Sequence, residues 1–194
     1  MAGALSAIEA VVIGASAGGI EALTVLLQEL PASFRPAVII VQHLPRDRAS
    51  MLPAIFARKC VLPTYEAYDK QPITPGTVFL APAGYHLLID KGPHLALSLE
   101  APVHFSRPAI DVLFESAAEV YGARLMGVVL TGANADGADG LAAIRASGGV
   151  TVVQDPDTAA YRAMPTAALA RGPADFVVSL PALALLLQRL EGGA

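Results

Sequence analysis

Short apolar runs recur along the chain and alternate with stretches of helical spacing. "AVVIG" (10–14), "AVIIVQH" (37–43), "GTVFLAP" (76–82), "RLMGVVLTG" (124–132), "GVTVVQ" (149–154) and "FVVS" (176–179) predict strands. Residues 19–30, 48–58, 108–121, 138–147, 164–171 and 180–190 predict helices. Pro31 ends the first helix, Pro53 restricts where the second starts or kinks, and Pro108 fits a first turn. Runs that are apolar throughout, without alternation, mark strands buried on both faces, as in a parallel sheet covered by helices. "YHLLID" (85–90) and "HLALSL" (94–99), joined by "KGP", read as a hairpin. The segment 72–99 is therefore expected to be an inserted antiparallel portion. No linker, repeat or low-complexity tract intervenes. The expectation is a single α/β domain over residues 1–194: a doubly wound, mostly parallel sheet with helices on both faces and a small antiparallel portion.

Composition narrows the function classes. A chain of 194 residues can bury a sizeable core, and 54% hydrophobic against 15% charged residues excludes disorder. The net charge is -4, and no basic run exceeds Arg58-Lys59, so there is no footprint for nucleic acid. The single cysteine, Cys60, rules out an intrachain disulfide and a cysteine-rich zinc site. It is compatible with a reducing compartment. No apolar run approaches the roughly 18–20 residues of a membrane span, and the first ten residues lack a basic signal-peptide region. The expectation is a cytoplasmic protein without membrane insertion.

Chemistry gathers at predicted strand ends. "GASAGG" (14–19) follows the first strand and opens a helix. Such a turn cradles a phosphate or presents a nucleophile; Ser16 could also simply cap the helix. His43 follows the second strand, and Asp136 follows "MGVVLTG". Ligands of open α/β sheets bind at that edge. A serine, a histidine and a carboxylate brought together there match nucleophilic acyl transfer: the base activates the hydroxyl and the carboxylate orients the base. Spacing alone leaves Asp139 as an alternative to Asp136. A dinucleotide site would want an acidic residue about 20 residues beyond the glycine turn, where Gln42 and His43 stand instead, and no Tyr-x-x-x-Lys pair is present. His86, His94 and His104 are too widely spread for a metal signature, and Cys60 reads as a small buried apolar residue. Arg107 is either a surface charge or faces the crevice.

Seven ordered segments carry a resemblance over roughly residues 9–190: "VVIGASAGGIEAL", "VQHLP", "ITPGTVFLAPAGYHLLI", "FSRPAIDVLFESAA", "GVVLTGANADGADGL", "GGVTVVQDPDTAAYRAMPTAAL" and "LPALALLL". Together they resemble the catalytic domain of CheB-type chemoreceptor methylesterases, also called protein-glutamate methylesterases. The resemblance implies a doubly wound α/β domain. It implies hydrolysis of glutamyl methyl esters on chemoreceptor cytoplasmic helices, with deamidation of receptor glutamines in many members. It implies Ser16 as nucleophile, His43 as base and Asp136, rather than Asp139, as the carboxylate. The backbone N–H groups of Ala17 and Ala133 would form the oxyanion hole, and no metal or cofactor is implied.

The chain departs from the family pattern at three positions. Ala17 stands where a Thr or Ser is common, "TGAN" replaces "TGMG", and Asn134 thereby replaces a glycine that would tolerate positive φ. Chemotaxis members usually carry an N-terminal receiver domain, which is not expected in this chain, so the expectation is either constitutive activity or control by a separate receiver or kinase partner. The methylated chemoreceptor is the implied protein substrate. A rim of Arg46, Arg48, Arg58 and Arg107 could meet an acidic receptor face. The contrasting reading is a non-catalytic docking module of the same fold.

Overall fold

The computed structural model describes residues 5, 7–44 and 51–190. Seven of the described strands form one parallel sheet: β1 (Ala10–Ala15), β2 (Ala37–Gln42), β3 (Thr64–Glu66), β4 (Val78–Leu80), β7 (Leu125–Val129), β8 (Val150–Gln154) and β9 (Phe176–Val178). Their spatial order is β3-β4-β2-β1-β7-β8-β9. β5 (His86–Asp90) and β6 (His94–Ser98) pair as a separate antiparallel hairpin. The helices are α1 (Gly19–Gln28), α2 (Leu52–Phe56), α3 (Ile110–Tyr121), α4 (Ala138–Ala146), α5 (Ala163–Arg171) and α6 (Leu180–Gln188), with a 3₁₀ turn at Gly122–Arg124.

The apolar runs explain the layering. β1, β2, β7 and β8 are buried along their whole length, so alternate residues must meet helices on opposite faces. Val11, Ile13, Val38, Ile40, Met126 and Val128 pack under α1 and α6 through Leu23, Leu26, Leu27 and Leu183. Val12, Ile39, Val41, Val129 and Val153 pack under α3, α4 and α5 through Leu113, Phe114, Leu141, Ile144 and Met164. The hairpin adds Leu87, Ile89 and Leu95 to this second layer. The architecture is the doubly wound α/β fold with a small antiparallel portion.

The details differ from the sequence reading in four places. β4 joins the main parallel sheet, so the antiparallel pairing of 72–99 is the β5–β6 hairpin with a single bridge from Pro72 to His94. β3 was not foreseen; it is a three-residue edge strand with no apolar run. Pro108 precedes α3, which starts at Ile110 after the extended residue Ala109. The expected helix 48–58 is described only as Leu52–Phe56, its first residues lying outside the described ones.

Gly14 lies inside β1, paired with Val41 and Val129. A Cβ there would sit 2.3 Å from Ile110 Cγ2. Its role is to let the start of α3 approach the sheet. No helix among the described residues is long and apolar enough to cross a membrane.

Candidate active site

The strand order reverses at β1. The chain builds β2, β4 and β3 on one side, then returns to build β7, β8 and β9 on the other. A crevice opens at the C-terminal edge of such a switch point. Ser16 follows β1, His43 follows β2, and Asp136 lies in the loop after β7. The backbone ties these loops together: Ser16 N–H donates to Thr131 O at 3.0 Å and His43 N–H donates to Ala15 O at 3.0 Å.

Ser16 heads a tight turn. Gly19 N–H donates to Ser16 O at 2.9 Å, and Gly18 has φ 75° and ψ 2°, the third position of a type II turn. Gly18, not Ser16, is the N-cap of α1, and no side chain caps that helix. The Ser16 hydroxyl is thus not spent on capping. Its Oγ lies 3.2 Å from His43 Nδ1.

His43 turns its other nitrogen to Asp136, with Nε2 at 2.8 Å from Oδ2. Asp136 is fully buried. Burial pushes its carboxyl up, but the hydrogen bond from His43 and the N–H groups of Ile110 and Asp111 outweigh this and hold it below the usual carboxylate range. An ionised Asp136 only accepts, so Nε2 carries the proton and Nδ1 of the neutral ring is left to accept from Ser16. The ring is used the other way round from the serine-protease template, where Nε2 faces the serine.

Asp136 is held by helix ends. Ile110 N–H donates to Oδ2 at 2.8 Å and Asp111 N–H donates to Oδ1 at 2.9 Å, so the carboxylate caps α3, where partial positive charge collects. Asp111 returns the favour: its Oδ1 accepts from Gly137 N–H at 2.9 Å and Gly140 N–H at 2.7 Å at the start of α4. The two carboxylates cap each other's helices.

Burial pushes Asp111 up to about 6, opposed by the Gly140 N–H and by His104 and reinforced by the charges of Asp136 and Asp139. Its folded pKa lies above an unfolded value near 3.9. The corresponding stabilisation is therefore full below about pH 4 and lost as pH rises through about 6. Asp111→Asn keeps an Oδ1 acceptor for both glycine N–H groups and removes the proton. We expect urea melts between pH 4.5 and 7.5 to show the variant gaining about 1–3 kcal/mol relative to wild type as pH rises. Parallel pH slopes would refute this account of Asp111.

The proposed oxyanion donors also lie at this edge. Among the described residues neither Ala17 N–H nor Ala133 N–H has a hydrogen-bond acceptor. Ala17 O accepts from Thr131 Oγ1 at 2.9 Å, which braces the turn. Asn134 Oδ1 accepts from Asp136 N–H at 3.3 Å, which leaves its Nδ2 3.5 Å from His43 Nδ1. Asn134 does not have positive φ, so the tolerance anticipated for it is not used. Asp136, not Asp139, meets His43; Asp139 pairs with Arg171. Arg107 Nη1 donates to Leu99 O at 2.8 Å and Glu100 O at 2.9 Å, which braces the loop, and the residue also lines a hollow with His43 and Leu44 at the crevice. Arg46 and Arg48 lie outside the described residues.

Gln42 escaped the sequence reading. It is buried, and its Nε2 donates to Ser16 O and His43 O, both at 2.9 Å, clamping the Ser16 and His43 loops together. A Cβ on Gly19 would lie 2.1 Å from Gln42 Oε1, so a glycine is needed there to admit the clamp. The signal was present: one amide at the end of an otherwise apolar strand. Two hollows of about 370 and 430 Å³ lie at the opposite sheet edge around Arg35 and Pro75, away from these groups.

Comparison with known proteins bears on this arrangement. The CheB methylesterase family model matches residues 11–187. A putative protein-glutamate methylesterase/protein-glutamine glutaminase of Leptospira interrogans is 46% identical over 183 residues, covering 94% of this chain and 95% of that protein. The protein-glutamate methylesterase/protein-glutamine glutaminase 1 of Anaeromyxobacter dehalogenans is 42% identical over 91% of this chain and 51% of its own length. The crystal structure of the Thermotoga maritima CheB methylesterase catalytic domain superposes with TM-score 0.90 at 30% identity, covering 94% of this chain and 98% of that one.

Proposed function

The chain belongs to the CheB methylesterase family, and on that premise we propose that Ser16, His43 and Asp136 form the catalytic triad of a protein-glutamate methylesterase. The described residues serve as one catalytic domain. Its substrate is a glutamyl methyl ester on the cytoplasmic part of a chemoreceptor. The observation that carries the reading is the unbroken chain from Ser16 Oγ through His43 to buried Asp136, at 3.2 and 2.8 Å.

The geometry supports a two-step acyl transfer. His43 Nδ1 takes the Ser16 proton as Oγ bonds to the ester carbonyl carbon. The resulting imidazolium is stabilised by Asp136 through Nε2–H. The carbonyl oxygen, now negative, is received by the N–H groups of Ala17 and Ala133. Collapse breaks the ester C–O bond, and His43 returns the proton to methanol. Water then adds to the acyl-enzyme with His43 again as base, freeing glutamate and restoring Ser16. A glutamine would pass through the same steps, with ammonia leaving in place of methanol. No step needs a metal or cofactor.

The test is direct. Incubation with a methylated chemoreceptor cytoplasmic fragment is expected to release methanol. A fluorophosphonate probe is expected to add to the peptide containing residues 14–19 and to stop that release. Modification elsewhere with loss of activity would remove Ser16 as nucleophile. An absence of methanol would leave the docking-module reading in its place.

A further inference from the structure

Three successive peptide groups around Ser16 are each held from outside their own turn. Ser16 N–H donates to Thr131 O at 3.0 Å, which fixes the first. Thr131 Oγ1 donates to Ala17 O at 2.9 Å, which fixes the third, and Tyr161 N–H donates to that Oγ1 at 2.9 Å. The middle group joins Ser16 to Ala17 and carries the N–H proposed above as an oxyanion donor. Its carbonyl accepts from Gly19 N–H within the turn and from Gln42 Nε2 outside it, both at 2.9 Å.

A trans peptide sets its N–H antiparallel to its C=O in one rigid plane. The Ser16–Ala17 bond is trans: the one cis peptide bond among the described residues is Arg107-Pro108. A donor that grips Ser16 O therefore also sets the direction of Ala17 N–H, which points away from that donor. Gln42 reaches the carbonyl from the neighbouring strand, where it pairs with Ala15. The amide is itself anchored, because Nε2 also donates to His43 O at 2.9 Å. An amide NH₂ has two hydrogens, and both are spent on these carbonyls. Hydrogen bonds in series polarise one another, so a peptide whose oxygen accepts twice donates more strongly from its nitrogen. Oxyanion donors work by being aimed before charge develops, and the N–H after the nucleophile is a recurrent member of such sites.

We propose that Gln42 is a positioning residue for the oxyanion hole: its amide fixes and polarises the Ser16–Ala17 peptide so that Ala17 N–H meets the developing oxyanion. This rests on the methylesterase reading above. Gln42 acts through a backbone group, so its loss slows the bond-forming step and leaves substrate binding in place.

Two variants test it at pH 8. Gln42→Met keeps the side chain's length without its donors, and Gln42→Glu puts an oxygen without hydrogens in the place of Nε2. On a methylated receptor fragment, kcat for methanol release is expected to fall about 10–100-fold with KM within about twofold. The second readout uses a synthetic peptide of the methylated segment, made either as the γ-methyl ester or as its thiono analogue, in which sulfur replaces the carbonyl oxygen. Sulfur accepts hydrogen bonds weakly, so the thiono ester gains little from the oxyanion hole. The ratio of kcat/KM between ester and thiono ester is expected to drop about tenfold in both variants. A general loosening of the site slows both esters alike; an unchanged ratio therefore overturns the proposal. Unchanged kcat overturns it too, as does a rise in KM that accounts for the whole loss. If neither variant folds, Gln42 holds the fold rather than the donor, and the proposal is again overturned. All of these outcomes leave the methylesterase reading standing. Absence of methanol from the wild-type protein would remove that reading, and the role of Gln42 with it.

Discussion

Replacing Ser16 by alanine is expected to cut methanol release by roughly 10⁵–10⁶-fold in kcat while leaving the melting temperature within about 2 °C of wild type. The two halves of this expectation have separate causes. Ser16 contributes to the fold through its backbone: its N–H donates to Thr131 O, and its carbonyl accepts from Gly19 N–H and Gln42 Nε2. Alanine keeps all of these. The hydroxyl's bond to His43 Nδ1 is the side-chain hydrogen bond lost, and it is half-exposed at the crevice. What remains is a turn still able to polarise a carbonyl, with nothing to attack it. Measured methanol release and calorimetric melting of the same preparation check both halves. Activity within about tenfold of wild type would remove Ser16 from the mechanism, and a large fall in melting temperature would show that the hydroxyl holds the turn.

Asp136→Asn should lower kcat by about 10³–10⁴-fold and destabilise the fold by about 1–3 kcal/mol. Asp136 accepts from three donors: His43 Nε2–H and Ile110 N–H at Oδ2, and Asp111 N–H at Oδ1. An asparagine has one oxygen. With that oxygen in the place of Oδ2, its NH₂ faces Asp111 N–H and a buried donor is left unpaired. With the oxygen in the place of Oδ1, the NH₂ faces Ile110 N–H and donates to His43. The ring must then carry its proton on Nδ1, where it cannot accept one from Ser16. Either orientation costs stability, and the second also removes the base.

The pH dependence separates charge from packing. Wild-type Asp136 has a folded pKa below the usual carboxylate range. Its stabilisation is therefore present above the unfolded value near 3.9 and is lost as pH falls through the lower folded value. Asp136→Asn has no such carboxylate, so its deficit relative to wild type should shrink in acid. Urea midpoints taken between pH 2.5 and 5 read this difference; a deficit that stayed constant would contradict the assignment of the lowered pKa.

The parallel strands were legible because their burial on both faces demands uninterrupted apolar runs. β3 was not, since Thr64–Glu66 is an edge strand of half-buried and exposed residues. The proposed triad residues stood out as polar side chains at or just beyond the ends of those runs. Asp136 and Asp139 were inseparable by spacing, and geometry divides them: one points into the crevice against His43, the other outward to Arg171. The groups that hold the triad left a weaker trace. Ile110 and Asp111 act on Asp136 through backbone N–H groups, which have no sequence signature, from a segment 25 or 26 residues away. Asp111 looks like an ordinary acidic residue in a helix's first turn, until the fold buries it against α4. Gln42 was visible as an amide in an apolar run, but its partners became evident only once two strand ends lay side by side.

The reciprocal capping of α3 and α4 bears on how inactivated descendants of this chain would read. A lineage released from selection for hydrolysis can discard Ser16 at little cost to folding. It cannot discard Asp136 so easily, because the same carboxylate holds the start of a helix and, through Asp111, the neighbouring one is held in turn. Asp136 should therefore outlast the activity it serves. In a related sequence, a retained aspartate at this position is weak testimony that the protein is an enzyme, while a retained serine in the turn is strong testimony.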